Sequence, residues 1–321
     1  MSNSLSDVLN RPIPEELWHY TSVQGFQGIV TSKEIFATDV RFLNDRTEFI
    51  HAREISAQVI AETNEYGPNS FPARYYSQKA VDLAFDAGPL SADRLQVFVA
   101  SFSEAEDQLS QWRGYSGGSS GVSIAFTLDA LRPPAHLGTL VTFAPCVYKP
   151  EEKKAILRDA LTDFVGESQG YWNAGFGAAK ASWLAGDPVA GQAIIDKIMG
   201  SPKFKTDIGA ALLRTRADLL RVAALSKDES FHEEREWRLV LPVSIDKTAF
   251  KNPPRFRSAN TTLIPYIAHP FSPDPSAAIP LKDVILGPGS HISAGQAALA
   301  FLKSLGIHVE PRESKVPYRP W

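Results

Sequence analysis

The sequence has few of the residues that build disulfide-bonded or metal-stabilised folds. Its 321 residues contain one cysteine, Cys146, which excludes an internal disulfide and a multi-cysteine zinc site. Cys146 lies in the apolar run LVTFAPCVY, and a buried thiol without a cationic neighbour has little thiolate character. We therefore predict that Cys146 is a core residue and not a nucleophile.

Long apolar runs and an excess of basic charge are also missing. No apolar run approaches the roughly 18 residues that a membrane-spanning helix needs. Residues 1–18 lack the basic head and apolar segment of a secretory signal. The formal net charge is -3, so bulk charge would not attract nucleic acid. These absences predict a cytoplasmic protein without a membrane partner.

Several catalytic and nucleotide-binding motifs are absent as well. The segment HEEREW, which begins at His232, has no second histidine four residues on and is not the HExxH zinc motif. The other histidines are dispersed, so no metal site is predicted. The glycine- and serine-rich segment 116–121 has no lysine and no GxGxxG spacing, which excludes a P-loop or Rossmann site. The segment GGSSG at residues 117–121 comes nearest to the GxSxG motif of serine hydrolases, and we interpret it as a flexible loop.

Hydrophobic periodicity predicts strands separated by irregular helices without βαβ regularity, which is typical of the α+β class. Residues 1–16 are expected to form an arm, and residues 17–321 a single α+β domain with a helical insertion at about 150–227. The predicted elements are strands at 17–21, 34–38, 95–103, 122–126, 140–148, 237–241 and 284–288, a last strand near 307–309, a helix capped by Ser22, a helix from about 48, a helix at 293–304, and a proline-rich connection at 252–280.

The charged segment 233–238 stands at the start of an apolar strand. Side chains alternate along a strand, so Glu234, Glu236 and Arg238 are predicted on one face and Trp237 on the other, in the core. If Glu236 faces a cleft, its carboxylate can accept a hydrogen bond from a sugar hydroxyl and stabilise a developing positive charge. If it faces an arginine, it forms a structural ion pair.

Other polar residues allow both a structural and a functional interpretation. His19 stands in a strand between aromatic neighbours, where it is either a satisfied core histidine or a ligand contact. Tyr115 precedes a glycine-rich loop, and its side chain either packs in the core or contacts a ligand. Asn44 and Asp45 precede Glu48, and the spacing of Asp45 and Glu48 is that of a helix capping box.

The order of short motifs resembles a bacterial family known as domain of unknown function 2971 (DUF2971). The likeness extends from about Leu17 to Arg319 and is weakest at 150–225. The motifs are LWHYTS, FLNDRTE, FVASFSE, SQWRGYSGGSSGVSIAF, FHEEREWRLV, VILGP and SKVPYR.

A second resemblance suggests a function. The segment LWHYTSVQGFQGIVTSKEIFA is similar to the start of ADP-ribosyltransferase-like folds, which have a split β-sheet core and commonly use a His, a Tyr and a Glu from three strands around NAD. The resemblance implies His19, Tyr115 and Glu236 as the catalytic residues. The NAD-binding residues that it implies are His19, Tyr20, Thr21, Asn44, Arg113, Tyr115 and Arg238.

The same resemblance implies a role for each of these residues. His19 and Thr21 would hold ribose hydroxyls, and Tyr115 would stack on the nicotinamide ring. Glu236 would bind the ribose 2′-hydroxyl and stabilise an oxocarbenium-like transition state. Either Arg113 or Arg238 would pair with the pyrophosphate. The long spacing from His19 to Tyr115 and the large insertion before Glu236 depart from many relatives of that fold.

The sequence leaves three functions open. The first is an ADP-ribosyltransferase-like enzyme that transfers ADP-ribose from NAD to a protein or nucleic acid, or to water, as in bacterial defence or toxin-antitoxin conflict. The second is a non-catalytic nucleotide-binding or interaction module in which His19, Asn44, Arg113 and Glu236 form a polar cluster. The third is a metal-dependent nuclease, with carboxylates from Asp45, Glu48, Glu234 and Glu236.

Overall fold

The computed structural model describes residues 4–43, 47–62, 71–85, 95–116, 120–127, 141–171, 177–244, 254–258 and 262–318. The chain forms two compact units. One unit, which we call the helical unit, is drawn from the described residues within 1–8, 47–95 and 149–226. The other, the sheet unit, is drawn from those within 9–46, 96–148 and 227–321. The described residues include no helix long and apolar enough to cross a membrane.

The described α-helices are α1 (Leu5–Leu9), α2 (Val23–Ser32), α3 (Thr47–Glu62), α4 (Phe71–Phe85), α5 (Leu109–Tyr115), α6 (Pro150–Tyr171), α7 (Gly177–Leu184), α8 (Pro188–Gly200), α9 (Pro202–Leu225) and α10 (Ala294–Ser304). In the helical unit, α9 packs against α3, α4 and α6, and the buried side chains of its contact face include Leu219 and Leu220. The segment predicted as a helical insertion is thus helical in its described parts.

The described strands are β1 (Leu17–Thr21), β2 (Glu34–Asp39), β3 (Leu95–Ser103), β4 (Val122–Phe126), β5 (Thr142–Pro145), β6 (Glu236–Ser244), β7 (Arg255–Ser258), β8 (Leu263–Pro270), β9 (Leu281–Leu286) and β10 (Arg312–Glu313). They form one sheet in the order β10-β9-β4-β1-β3-β2-β8-β7, with β6 beside β3 and β5 beside β6. β10 is parallel to β9, whereas β1 is antiparallel to β4. This mixture of helices and a mixed sheet confirms the α+β class.

Two predicted elements are wrong. Residues 307–309 are not a strand, and the last strand is the short β10 beyond them. The segment 252–280 is more than a connection, because it contains β7 and β8. Its prolines concealed this hairpin, although Pro265 pairs with Phe256 inside it. β7 is an exposed strand at the end of the sheet order, and a proline is tolerated near such an edge.

Strand β6 occupies one edge of β3. Just beyond the two strands, the Glu104 N–H donates to the Arg235 carbonyl at 3.2 Å, so the end of β3 meets the start of β6 and the two strands are antiparallel. In an antiparallel pair, the residues that exchange hydrogen bonds alternate with those that face the other edge. The backbone groups of Val99, Ser101 and Ser103 are therefore directed to the opposite edge of β3.

Strands β1 and β2 both pair with that opposite edge of β3, but at different positions, and they diverge from each other between them. β1 pairs with β3 at Trp18 and Ser103, and β2 pairs with it at Thr38 and Val99. Ser101 lies between these two positions and belongs to neither ladder. The sheet is consequently split beside the middle of β3.

The two faces of the sheet carry different cores. Leu17 of β1, Phe102 of β3 and Trp237 of β6 belong to a large apolar cluster that also includes residues of α2. Trp18 and Tyr20 of β1 belong to a second cluster, with Trp112 of α5. Because neighbouring strand residues point to opposite faces, α2 covers one face and α5 covers the other.

Candidate active site

A cleft of about 230 Å³ lies at the split in the sheet. Its lining includes Ser101 from the unpaired part of β3, Gly25 and Ile29 from α2, and Gln111 and Tyr115 from α5. Residues from the helices on both faces thus reach it, and the cleft passes through the gap between β1 and β2. It is smaller than the roughly 300–1,000 Å³ of drug-sized ligand pockets, so a dinucleotide would extend beyond it.

His19 fills the gap that the parted strands leave. Its Nδ1 lies 2.8 Å from the Ser101 carbonyl oxygen, and a carbonyl can only accept, so Nδ1 carries the proton. The side chain replaces a ladder partner that Ser101 lacks. Burial lowers the pKa of His19, and the charge of Arg257 adds to this effect. Neutral His19 therefore keeps Nε2 as a hydrogen-bond acceptor.

Tyr20 and Thr21 also line the cleft, but their side chains make different contacts. The Tyr20 hydroxyl donates to the Ala105 carbonyl at 2.8 Å and accepts from the Gln108 N–H at 3.0 Å. Its polar atom is thus engaged in fixing β1 to the segment before α5. Thr21 lies against Gly25, where a Cβ would come within 2.0 Å of the Thr21 Oγ1, so α2 can approach β1 only through a glycine.

Two carboxylates and one ammonium group meet at the other end of the cleft. The Lys227 Nζ contacts an Oε2 of both Glu234 and Glu236, and the latter two residues line the cleft. The alternation predicted that Glu234 shares a strand face with Glu236. Glu234 instead belongs to a short 3-10 helix that precedes β6. Arg235 adopts a left-handed φ of 41°, and this turn returns the chain so that both carboxylates reach the same amine.

Glu236 is held on both of its oxygens. Arg238 Nε donates to Oε1 at 2.7 Å, Lys227 binds Oε2, and the Glu236 N–H donates to the Tyr148 hydroxyl at 2.7 Å. Burial raises the pKa of Glu236, but the charges of Arg238 and Lys227 outweigh it and lower the pKa to about 2. Since each carboxylate oxygen has two lone pairs, Oε1 can still accept one further hydrogen bond.

Tyr115 joins the same cluster from a helix. It ends α5, whereas the resemblance implied a strand, and its hydroxyl donates to Glu234 Oε2 at 3.3 Å and accepts from Lys227 Nζ at 3.4 Å. Burial raises the pKa of Tyr115 to about 12, so the phenol stays protonated. The resemblance thus identified a residue of the cleft but not its element.

The predicted arginines do not line the cleft. Arg113 is exposed on α5, and its guanidinium lies 4.8 Å from the centre of the Tyr318 ring. Arg238 is only 3% exposed and binds Glu236. Both are therefore poorly placed for a pyrophosphate. Asn44 and Asp45 lie outside the described residues.

Sequence reasoning missed Lys227 and Arg257. Lys227 ends the segment that was predicted as helical, and the only sequence signal for its pairing is that Glu234 and Glu236 follow it closely along the chain. Arg257 comes from the unpredicted strand β7, lines the cleft, and donates from Nη2 to Thr38 Oγ1 at 3.0 Å. Burial lowers the pKa of Arg257, and within the described ranges it forms no ion pair with a carboxylate.

Comparison with known families gives one match. Residues 111–239 match the sequence model of a family described as "Protein of unknown function (DUF2971)". The matched region begins in α5 and ends in β6, so it contains Tyr115, Lys227, Glu234 and Glu236, whereas His19 precedes it. Neither the curated proteins nor the solved structures include a match.

The nuclease hypothesis requires acids that converge on a metal. Among the described residues, no group of three or more His, Cys, Asp and Glu side chains is arranged to hold one. Glu234 and Glu236 do converge, but on the Lys227 ammonium. Asp45 lies outside the described residues.

Proposed function

We propose that the protein is an ADP-ribosyltransferase-like enzyme that cleaves the nicotinamide glycosidic bond of NAD and passes ADP-ribose to a macromolecule or to water. The observation that carries the proposal is that His19 and Glu236 line one cleft. They stand on β1 and β6, on either side of β3, and two strand spacings amount to about 10 Å. One nicotinamide riboside can span that distance.

The charges in the cleft suit NAD. At one end, the carboxylates of Glu234 and Glu236 face a position where positive charge would develop on the ribose. At the other, Arg257 supplies a guanidinium that the described residues leave without a carboxylate partner. Arg257, and not Arg113 or Arg238, is thus the candidate for the pyrophosphate, because guanidinium groups bind phosphate oxygens in a fork.

Each side chain then has a defined task. The free lone pair of Glu236 Oε1 accepts the ribose 2′-hydroxyl, and the carboxylate stabilises the oxocarbenium ion as the C1′–N bond breaks and neutral nicotinamide leaves. Nε2 of neutral His19 accepts a hydrogen bond from a ribose hydroxyl, and Tyr115 packs against the nicotinamide. An acceptor oxygen or nitrogen then attacks C1′ and loses its proton. With water as the acceptor, the products are ADP-ribose and a proton.

The decisive experiment measures nicotinamide release from NAD by wild type and by Glu236→Gln. We expect the variant to lose roughly 10²–10³-fold in kcat, the range found when one transition-state stabilising group is removed. Glu233→Gln is the matched control, since Glu233 is exposed and lies three residues away on the same segment. Release that Glu236→Gln leaves unchanged would refute the proposed role of Glu236.

A non-catalytic nucleotide-binding module is the second candidate. The pairing of both Glu236 oxygens with cations and an exposed fraction of 4% favour it, because a carboxylate that is buried and paired in this way can have a structural role in the sheet. This candidate predicts that calorimetry detects NAD binding to the wild-type protein while no nicotinamide is released. Release by wild type would exclude it.

A further inference from the structure

Lys227 occupies a position between two carboxylates that is unusual for a lysine. It is 2% exposed, its N–H donates to the Val147 carbonyl at 3.0 Å, and its Nζ contacts both Glu234 and Glu236. Lysine is almost never fully buried unless it is paired. The backbone anchor at Val147 and the two ion pairs leave the ammonium group little freedom to move.

Among the described side chains of this cluster, the charges balance only when Lys227 is present. Glu234 and Glu236 contribute two negative charges, and Lys227 and Arg238 contribute two positive ones, all on side chains that are 5% exposed or less. Without the ammonium, two buried carboxylates would share one guanidinium. Two carboxylates that share a site cannot both ionise freely, and one of them would take up a proton.

The other titratable groups around Glu236 cannot replace that charge. Tyr115 approaches from α5, and Tyr148 and Cys146 follow β5; each of these is neutral or negative when it titrates. Burial raises the pKa of Tyr148, so its phenol remains neutral. The interaction with Glu236 raises the pKa of Lys227 against the effect of burial, so the lysine stays charged.

We infer that Lys227 is a positioning residue that keeps Glu236 ionised and fixes its carboxylate at the cleft. Lys227 does not line the cleft, so it acts through Glu236 and does not touch the substrate. The consequence for catalysis rests on the proposed function, whereas the effect on the ionisation of Glu236 does not.

The test is a titration of Glu236 by ¹³C NMR of the glutamate carboxyl carbons, with the resonance assigned from Glu236→Gln. In Lys227→Met, we expect the midpoint to rise above 4.5, the ordinary value for the side chain. In Lys227→Arg, which keeps the charge, it should stay below that value. Lys282→Met is the control, since Lys282 forms an exposed ion pair with Glu16 and its loss should leave the midpoint unchanged.

A double variant separates the charge of Lys227 from its bulk. Lys227→Met combined with Glu234→Gln again balances the cluster, with one carboxylate against Arg238. The Glu236 midpoint should return below 4.5, and the double variant should fold even where the single variant does not. If Lys227 only fills space, the second substitution will not restore the midpoint, and the inference is overturned.

Activity provides an independent readout. If wild type releases nicotinamide, Lys227→Met should lose activity as the pH falls through the raised midpoint, and the double variant should lose this acid limb. If wild type releases none, the proposed function fails, and the NMR titration still decides the role of Lys227. A Glu236 midpoint equal in wild type and Lys227→Met would refute the inference whatever the activity.

Discussion

At the scale of single residues, Glu236 links the stability of the sheet unit to pH. Its pKa in the folded protein is about 2, below the ordinary value of 4.5. A carboxyl group with a lowered pKa stabilises the fold above its ordinary value, and this stabilisation is lost as the pH falls toward the lowered one. The window in which Glu236 affects stability is therefore between about pH 4.5 and 2.

We predict that Glu236 contributes on the order of 3 kcal/mol to the steep loss of stability in this window, from the 1.36 kcal/mol that each pKa unit represents. Urea unfolding of wild type and Glu236→Gln, measured at intervals from pH 6 to 2, checks this. The variant should be less stable at pH 6, because Lys227 and Arg238 each lose one ion pair, yet its stability should fall less steeply below pH 4.5. Parallel curves would contradict the prediction.

At the scale of elements, two glycines, Gly25 and Gly121, determine how closely the neighbouring elements approach β1. A Cβ on Gly121, just before β4, would come within 2.3 Å of the Thr21 carbonyl and 2.4 Å of the Ser116 Cβ. Because the first of these neighbours is backbone, it cannot move aside as a side chain can. The small residue is required where the end of β1, the end of α5 and the start of β4 converge at the cleft.

We predict that Gly121→Ala destabilises the protein by about 1–3 kcal/mol, the usual cost of overpacking. Under the proposed function, it also weakens NAD binding because Thr21 is displaced. Gly114→Ala is the matched control, since nothing lies within 4 Å of its Cβ position on α5 and alanine favours a helix. Thermal unfolding and calorimetry measure the two effects. An unchanged Gly121→Ala variant would show that the backbone there adapts easily.

At the scale of the whole molecule, residues far apart in sequence hold α5 in place. Asp107 accepts hydrogen bonds from Trp112 Nε1 at 2.7 Å, from the Ser314 hydroxyl at 2.6 Å and from the Lys315 N–H at 2.7 Å. One carboxylate thus ties segment 314–315 to the helix that carries Tyr115 into the cleft. The apolar cluster around Trp112 includes Val316 from the same segment.

We predict that Asp107→Ala lowers the free energy of unfolding by roughly 3 kcal/mol, because it leaves the buried Trp112 N–H without its charged acceptor. Under the proposed function, it should also reduce NAD cleavage, because Tyr115 loses the support of α5. Asp274→Ala is the control, since Asp274 is exposed and its carboxylate accepts hydrogen bonds from Ser276 in its own turn. Equal stabilities of the two variants would refute the role assigned to Asp107.

The elements that sequence predicted well are those with a strong local pattern. The nearly apolar run of β3, the alternation of β4 and the cap at Ser22 all appear as expected, with Ser22 Oγ accepting from the Gly25 N–H. Cys146 is buried as predicted. The β7–β8 hairpin was missed because prolines and exposed polar residues hide the edge strand β7. Its partner β8 pairs in turn with β2, and the sequence of the hairpin alone does not show that pairing.

The sequence by itself determined the α+β class, the DUF2971 resemblance, and the separation of Trp237 from Glu236 onto opposite faces, because periodicity of two is a local property of a strand. Only the tertiary structure decided what Glu236 contacts. Lys227, which also contacts Glu234, meets Glu236 through the left-handed turn at Arg235, and no local pattern encodes such a contact. The split beside Ser101, which His19 fills, likewise arises because two strands, β1 and β2, pair with different parts of one edge of β3.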